Sequence, residues 1–218
     1  MAARSALVWM HGLGDTEAGW KAQIQEAINI DGATGPCHME FPRAPTARVS
    51  CNMGMRLTSW FDMSELPLGA HSGGPGFGCS LEEAKGNAAR IHSILDGLVG
   101  AGVPADKIVV GGFSQGGAMA LLASMTYSRR LAGCVVFSGI LLGSDQLDAL
   151  THPSNRGLPI LWCHGTEDDV LEPSLQDAGV KALQGSGFAV EALKYPAEHG
   201  AHPRGFAKMQ DFLHRVLK

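Results

Sequence analysis

Lysine and arginine form no run in this chain, and 17 of them against 21 aspartates and glutamates leave a formal charge of −4. A basic field for nucleic acid or for a lasting membrane contact is therefore missing, and membrane contact is expected to be at most transient. The first apolar stretch, residues 6–10, is too short for a signal segment or a transmembrane helix. Ala2 follows Met1, which leaves no myristoylation site. The five cysteines form an odd set without a CxxC spacing, against a disulfide framework or a zinc knuckle and in favour of a reducing, cytoplasmic setting. Each is expected to fill core space.

What is present suits a folded enzyme-sized domain. Hydrophobic residues make up 45% of 218, and a chain of this length buries roughly 70% of its unfolded surface around one core. A single domain over 1–218 is expected. Short β-rich runs at 6–10, 108–113, 133–138, 159–163 and 190–195, with a weaker one at 38–41, alternate with helical spacing over 18–30, 84–98, 115–127, 173–183 and 205–217. Such alternation predicts an α/β fold with a mainly parallel central sheet and helices on both faces. Ser80-Leu-Glu-Glu83 has the form of a capping box for the second helix. The stretch from Pro67 to Cys79, rich in glycine at 73–78, breaks regular structure and reads as a surface loop over about 62–79, either a connector or a lid beside the site.

The run Ile108-Val-Val-Gly-Gly-Phe-Ser114-Gln-Gly-Gly-Ala-Met119 passes a β-branched strand through a glycine-flanked serine into a small-residue helix. In the GxSxG turn the serine hydroxyl projects above the sheet, and the following helix aims its N–H groups at the same place. Ser114 is thus the candidate nucleophile, and it needs a base with an orienting carboxylate, both later in the chain. The run at 159–163 leads into His164-Gly-Thr-Glu-Asp168-Asp-Val170, which puts a carboxylate at the carboxyl edge of the sheet. Asp168 is the candidate acid, with Glu167 and Asp169 as solvated neighbours and Asp169 still open. His199 and His202 both follow the last run; Gly200 gives the first freedom to present its ring, while Pro203 restricts the backbone before the second. An oxyanion hole needs two backbone donors, for which Gln115 and, in His11-Gly-Leu-Gly-Asp15, Leu13 are the candidates. Leu57, Trp60, Phe61 and Leu66 are candidate walls of an acyl groove, or ordinary packing. No histidine pair has metal spacing, so no metal and no cofactor is expected.

Six stretches in order, His11-Gly-Leu-Gly-Asp-Thr16 with Trp20, Arg43-Ala-Pro45, Asn52-Met53, Ser59-Trp-Phe-Asp62, Gly111-Gly-Phe-Ser-Gln-Gly-Gly117, and His164-Gly165 with Asp168, resemble the acyl-protein thioesterases, which are similar to small carboxylesterases and lysophospholipases. The resemblance covers nearly the whole chain. It implies an α/β-hydrolase fold, a triad of Ser114, Asp168 and His199, an oxyanion hole of Leu13 and Gln115, no cofactor, and S-acylated proteins or small acyl esters as substrates.

Overall fold

In the computed structural model, which describes residues 4–28, 36–69, 72 and 77–218, the apolar runs become strands of one six-stranded sheet. In chain order these are β1 (Ser5–Met10), β2 (Cys37–Glu40), β5 (Ile108–Phe113), β6 (Gly133–Phe137), β7 (Pro159–Gly165) and β8 (Ala189–Tyr195), laid side by side as β2-β1-β5-β6-β7-β8. Every pairing in it is parallel. Strands buried on both faces need no polar alternation, and for that reason β1, β5 and β6 read as unbroken apolar runs. The helices fill both faces. α2 (Leu81–Gly100), α3 (Gln115–Thr126) and α5 (Pro173–Gly185) pack with the even-numbered residues of β5, β6 and β7; α1 (Lys21–Ala27) and α6 (Pro203–Val216) pack on the other side around Trp9, Val135, Phe137 and Phe212. A short α4 (Leu147–Leu150) lies between β6 and β7.

The element missing from the sequence reading is a two-stranded antiparallel hairpin, β3 (Thr46–Val49) and β4 (Met55–Thr58). Its strands alternate polar and apolar residues but for only four residues each, too short a run to mark them. The first helix is shorter than its periodicity implied, beginning after Trp20; residues 29–30 lie outside the described set, as do Met1, Ala2 and the glycine-rich residues 73–76 on which the lid reading rests. The last helix starts at Pro203 rather than 205, because proline suits a first turn whose N–H is unpaired in any case. Ser80 does cap α2, its hydroxyl accepting from Glu83 N–H at 3.4 Å, but the box is not reciprocal. Glu83 Oε2 instead accepts from Asp62 N–H at 2.6 Å and fastens the 59–62 segment to the helix.

The five cysteines are free. Burial pushes the Cys79, Cys134 and Cys163 thiols up to about 12 and raises that of Cys51 as well.

β1 sits between β2 and β5, so the chain leaves it first to one side and then to the other. At such a switch point the loops beyond the carboxyl ends diverge and leave a crevice. The loops after β1 and β5 carry Leu13 and Ser114, and the crevice is where they meet.

On the far face, a Cβ at Gly133 would lie within 3.0 Å of the Phe212 ring, which shows how closely α6 seats on β6. Phe212→Ala is expected to lower the unfolding free energy in urea by about 3–5 kcal/mol with little effect on the site.

Candidate functional site

Ser114 takes φ 56° and ψ −122°, a backbone state that a non-glycine residue holds at a cost of about 1–3 kcal/mol unless its surroundings enforce it. Here they do. Ser114 N–H donates to Phe137 O at 2.8 Å, tying the turn to β6. A Cβ on Gly112 would stand 2.3 Å from Gly116 O, and one on Gly116 would stand 2.3 Å from Met10 O. The two flanking glycines therefore serve close backbone approach: they let the amino end of α3 fold back over β5 and lie against the end of β1.

The loop after β7 brings up the carboxylate. Asp168 is buried, and its Oδ1 accepts the Val170 and Leu171 N–H groups at 3.1 and 2.8 Å. His199 Nδ1 lies 2.8 Å from Asp168 Oδ2, and His199 Nε2 lies 2.9 Å from Ser114 Oγ. Burial would by itself raise the Asp168 carboxyl, but donors at His164, His199 and Leu171 outweigh it and hold the group well below the usual carboxylate range. Glu167 and Asp169 are exposed.

Of the two histidines, only His199 reaches the serine. His202 stacks on Tyr195 with ring centroids 5.3 Å apart, and its Nδ1 accepts from Arg204 N–H at 3.1 Å, capping α6. The reason given for preferring His199 needs correction: Gly200 does not adopt a positive φ, so glycine freedom does not present the ring. The loop is instead pinned to β7. Thr166 N–H donates to Tyr195 O at 2.8 Å and Glu167 N–H to Ala197 O at 3.0 Å. A Cβ on Gly165 would lie 2.2 Å from Ala197 O, so the two loops close on each other only at a glycine.

Among the described residues neither the Leu13 nor the Gln115 N–H meets a protein acceptor. Both residues belong to segments bordering Ser114, at the amino end of α3 and at the exit of β1. The Gln115 side chain, unremarked in the sequence, is a buried fastener. Its Oε1 accepts from Trp60 N–H at 2.9 Å, and its Nε2 donates to Ser59 Oγ at 3.0 Å and Phe61 O at 2.7 Å. His11 fastens the other loop: Nδ1–H donates to Gly12 O at 2.7 Å, Nε2 accepts from Ala44 N–H at 3.1 Å, and His11 O accepts from Trp60 Nε1 at 2.9 Å. The only outward signal of these roles was membership of the same short motifs.

A cleft of about 270 Å³ opens over Ser114 and His199, walled by Leu13, Leu57, Leu66, Phe113 and Val170, with Asp15 and Asn52 also on its lining. Leu57 and Leu66 thus stand at the cleft as expected. Trp60 and Phe61 do not; each is about 1% exposed and packed in the core. Their peptide groups are held by the Gln115 side chain, and both rings lie in the same core cluster. No cluster among the described residues could hold a metal ion.

With this geometry in view, comparison with known proteins is informative. The model of the phospholipase/carboxylesterase family matches residues 1–217. A probable carboxylesterase of Oryza sativa subsp. japonica is 37% identical over 196 residues, covering 88% of this chain and 70% of that protein. Acyl-protein thioesterase 1 of Gibberella zeae is 32% identical over 216 residues, covering 98% and 91%. The crystal structure of Arabidopsis thaliana SOBER1 superposes with a TM-score of 0.90 at 28% identity, covering 99% of this chain and all of that one.

The His11 ring generates a pH prediction. Burial lowers its pKa from 6.5, although the Gly12 carbonyl opposes the shift, and protonation would turn Nε2 into a donor facing the Ala44 N–H. A base whose folded value is depressed takes up protons more readily when unfolded, so the stability it contributes is complete above 6.5 and is lost as pH falls through the folded value. As pH falls below 6.5, unfolding free energy is expected to fall more steeply in the wild type than in His11→Gln. Equal slopes would place the proton uptake elsewhere.

Proposed function

The chain belongs to the phospholipase/carboxylesterase family, and we propose that within it this chain is a serine hydrolase that removes long acyl chains, palmitoyl among them, from cysteine thioesters of cytosolic proteins. The observation that carries the reading is the continuous relay from Asp168 through His199 to Ser114 Oγ, with links of 2.8 and 2.9 Å, at the floor of an apolar-walled cleft. Similarity to acyl-protein thioesterase 1 over nearly the full length supports the choice of substrate class.

In this mechanism Ser114 Oγ attacks the acyl carbon while His199 Nε2 accepts the hydroxyl proton. Asp168, accepting from Nδ1–H, keeps the ring in the tautomer that leaves Nε2 free and stabilises the imidazolium that forms. The Leu13 and Gln115 N–H groups receive the carbonyl oxygen as it becomes negative, a contribution worth roughly 10² to 10³ in rate per donor. As the tetrahedral intermediate collapses, the C–S bond breaks and His199 returns its proton to the sulfur. Water, deprotonated by the same ring, then splits the acyl-serine to free acid and restores Ser114. A cysteine thiolate, with a conjugate-acid pKa near 8.5, leaves more readily than an alkoxide, so the thioester asks less of the protonated histidine.

A second reading, hydrolysis of small carboxylic esters or lysophospholipids, is favoured by the higher identity to a probable carboxylesterase. Both readings share one site and differ in the acyl donor. The third, an acyl-binding module without turnover, has no support in a serine already within hydrogen-bond distance of its base.

A fluorophosphonate probe is expected to label the wild type and not Ser114→Ala; equal labelling of the two would overturn the hydrolase reading. Ser114→Ala and His199→Ala are each expected to lower kcat by about 10⁴ or more, whereas His202→Ala should keep activity within about tenfold because its ring acts on α6. Full activity in His199→Ala would reject that residue as the base. Rates on an S-palmitoylated peptide beside a chain-length series of oxyesters separate the two acyl donors, and absence of peptide turnover alongside brisk ester cleavage would move the assignment to the carboxylesterase.

A further inference from the structure

A second histidine stands behind the acid. His164, at the end of β7, has no solvent exposure. Its Nε2 lies 2.8 Å from Leu171 O and 3.2 Å from Asp168 Oδ2. A carbonyl oxygen only accepts, so Nε2 carries a proton that it donates to Leu171 O, and the Asp168 carboxylate lies beside the same N–H. The other ring nitrogen, Nδ1, is buried without a partner. Just beyond the end of the neighbouring β6, Ser138 takes φ 45° and donates its N–H to Cys163 O at 2.9 Å; its Oγ is also buried and unpartnered. Two orphaned polar atoms in that interior are costly. Replacing His164 by an apolar residue would remove one of them, which makes its retention informative about what its other nitrogen does.

What it does reaches in two directions. On one side it holds the edge of the Asp168 carboxylate that also faces His199. On the other it holds Leu171, which forms a parallel bridge with Leu68, with Leu68 N–H donating to Val170 O and Glu172 N–H to Leu68 O, each at 2.9 Å. Leu66, two residues before that bridge, stands on the cleft wall.

We infer that His164 is a positioning residue for the reaction, its Nε2–H fixing the Asp168 carboxylate against the Leu171 carbonyl so that both carboxylate oxygens stay within reach of His199 Nδ1. It touches no substrate and acts through Asp168. The inference rests on the proposed roles of Asp168 and His199, but it concerns the geometry between them, which can be measured without turnover.

Loss of the His164 donor leaves more of the Asp168 charge for His199 and so favours imidazolium. The test is the NMR titration of the His199 ring in the full chain carrying Ser114→Ala, compared with the same chain carrying in addition His164→Phe, His164→Asn or His164→Gln. Asp15, the other titratable residue on the cleft lining, is common to all four. Glutamine places its amide where Nε2 stood and asparagine places its amide at Nδ1. The His199 titration is therefore expected to move upward by about half a unit or more in the phenylalanine and asparagine variants and to stay at its original position in the glutamine variant. An unchanged titration in both donor-less variants would overturn the inference, as would an equal rise with glutamine. Should phenylalanine prevent folding, the asparagine and glutamine pair still decides. The readout also separates the two levels of the argument: failure of a fluorophosphonate to label the wild type would remove the hydrolase reading while leaving the titration result standing.

Discussion

The site depends on one close approach. The backbone at Gly116 lies so near the Met10 carbonyl that a side-chain carbon would stand 2.3 Å from it, and this contact brings the amino end of α3 against the end of β1. The approach is made at the positive-φ turn of Ser114 and places Gln115, the first residue of α3, beside the loop that leaves β1 through His11 and Leu13. A larger residue at 116 would push α3 away from the sheet and separate the proposed oxyanion donors, Leu13 and Gln115, from each other and from Ser114. Catalytic geometry here is a property of backbone packing before it is a property of side chains.

The elements that sequence made legible are those whose pattern is enforced by burial. β5 and α3 are apolar because both lie in the middle of the molecule, and the strand-serine-helix run could be placed to the residue. Asp168 and His199 were legible at the level of which loop carries them, since open parallel sheets gather polar residues at their carboxyl edge. Choosing between His199 and His202 was a different matter, because the deciding contacts, Gly165 against Ala197 and Tyr195 against His202, join segments some thirty residues apart or depend on ring stacking. The hairpin β3–β4 was invisible because its alternation, Thr46-Ala-Arg-Val49 and Met55-Arg-Leu-Thr58, runs for only four residues in each strand. Trp60 and Phe61 misled for a related reason: aromatic residues near a presumed groove look like walls, whereas their peptide groups are held by Gln115 and their rings fill the core.

Gln115 and His11 show how few side chains organise the rim. Between them they satisfy backbone groups of Ala44, Trp60 and Phe61, the Ser59 hydroxyl and the indole of Trp60, fastening that stretch beside the cleft. The wall is then set by residues outside this fastened stretch, Leu57 on β4 and Leu66 beyond Asp62. Differences in acyl preference between such enzymes are accordingly expected to sit at positions of this kind, where a side chain changes without disturbing the proposed oxyanion donors.

The buried cysteines acquire a meaning from the proposed substrate. A thioester is an electrophile toward any thiolate, so a protein that binds such molecules risks having the acyl group transferred to one of its own sulfurs instead of to water. Only the ionised sulfur attacks, and burial holds Cys79, Cys134 and Cys163 near 12 and raises Cys51 beside the cleft residue Asn52. At neutral pH these thiols stay protonated and chemically silent. Desolvation thus works against acyl transfer to these four sulfurs and leaves the acyl group to the Ser114 hydroxyl, which has His199 beside it.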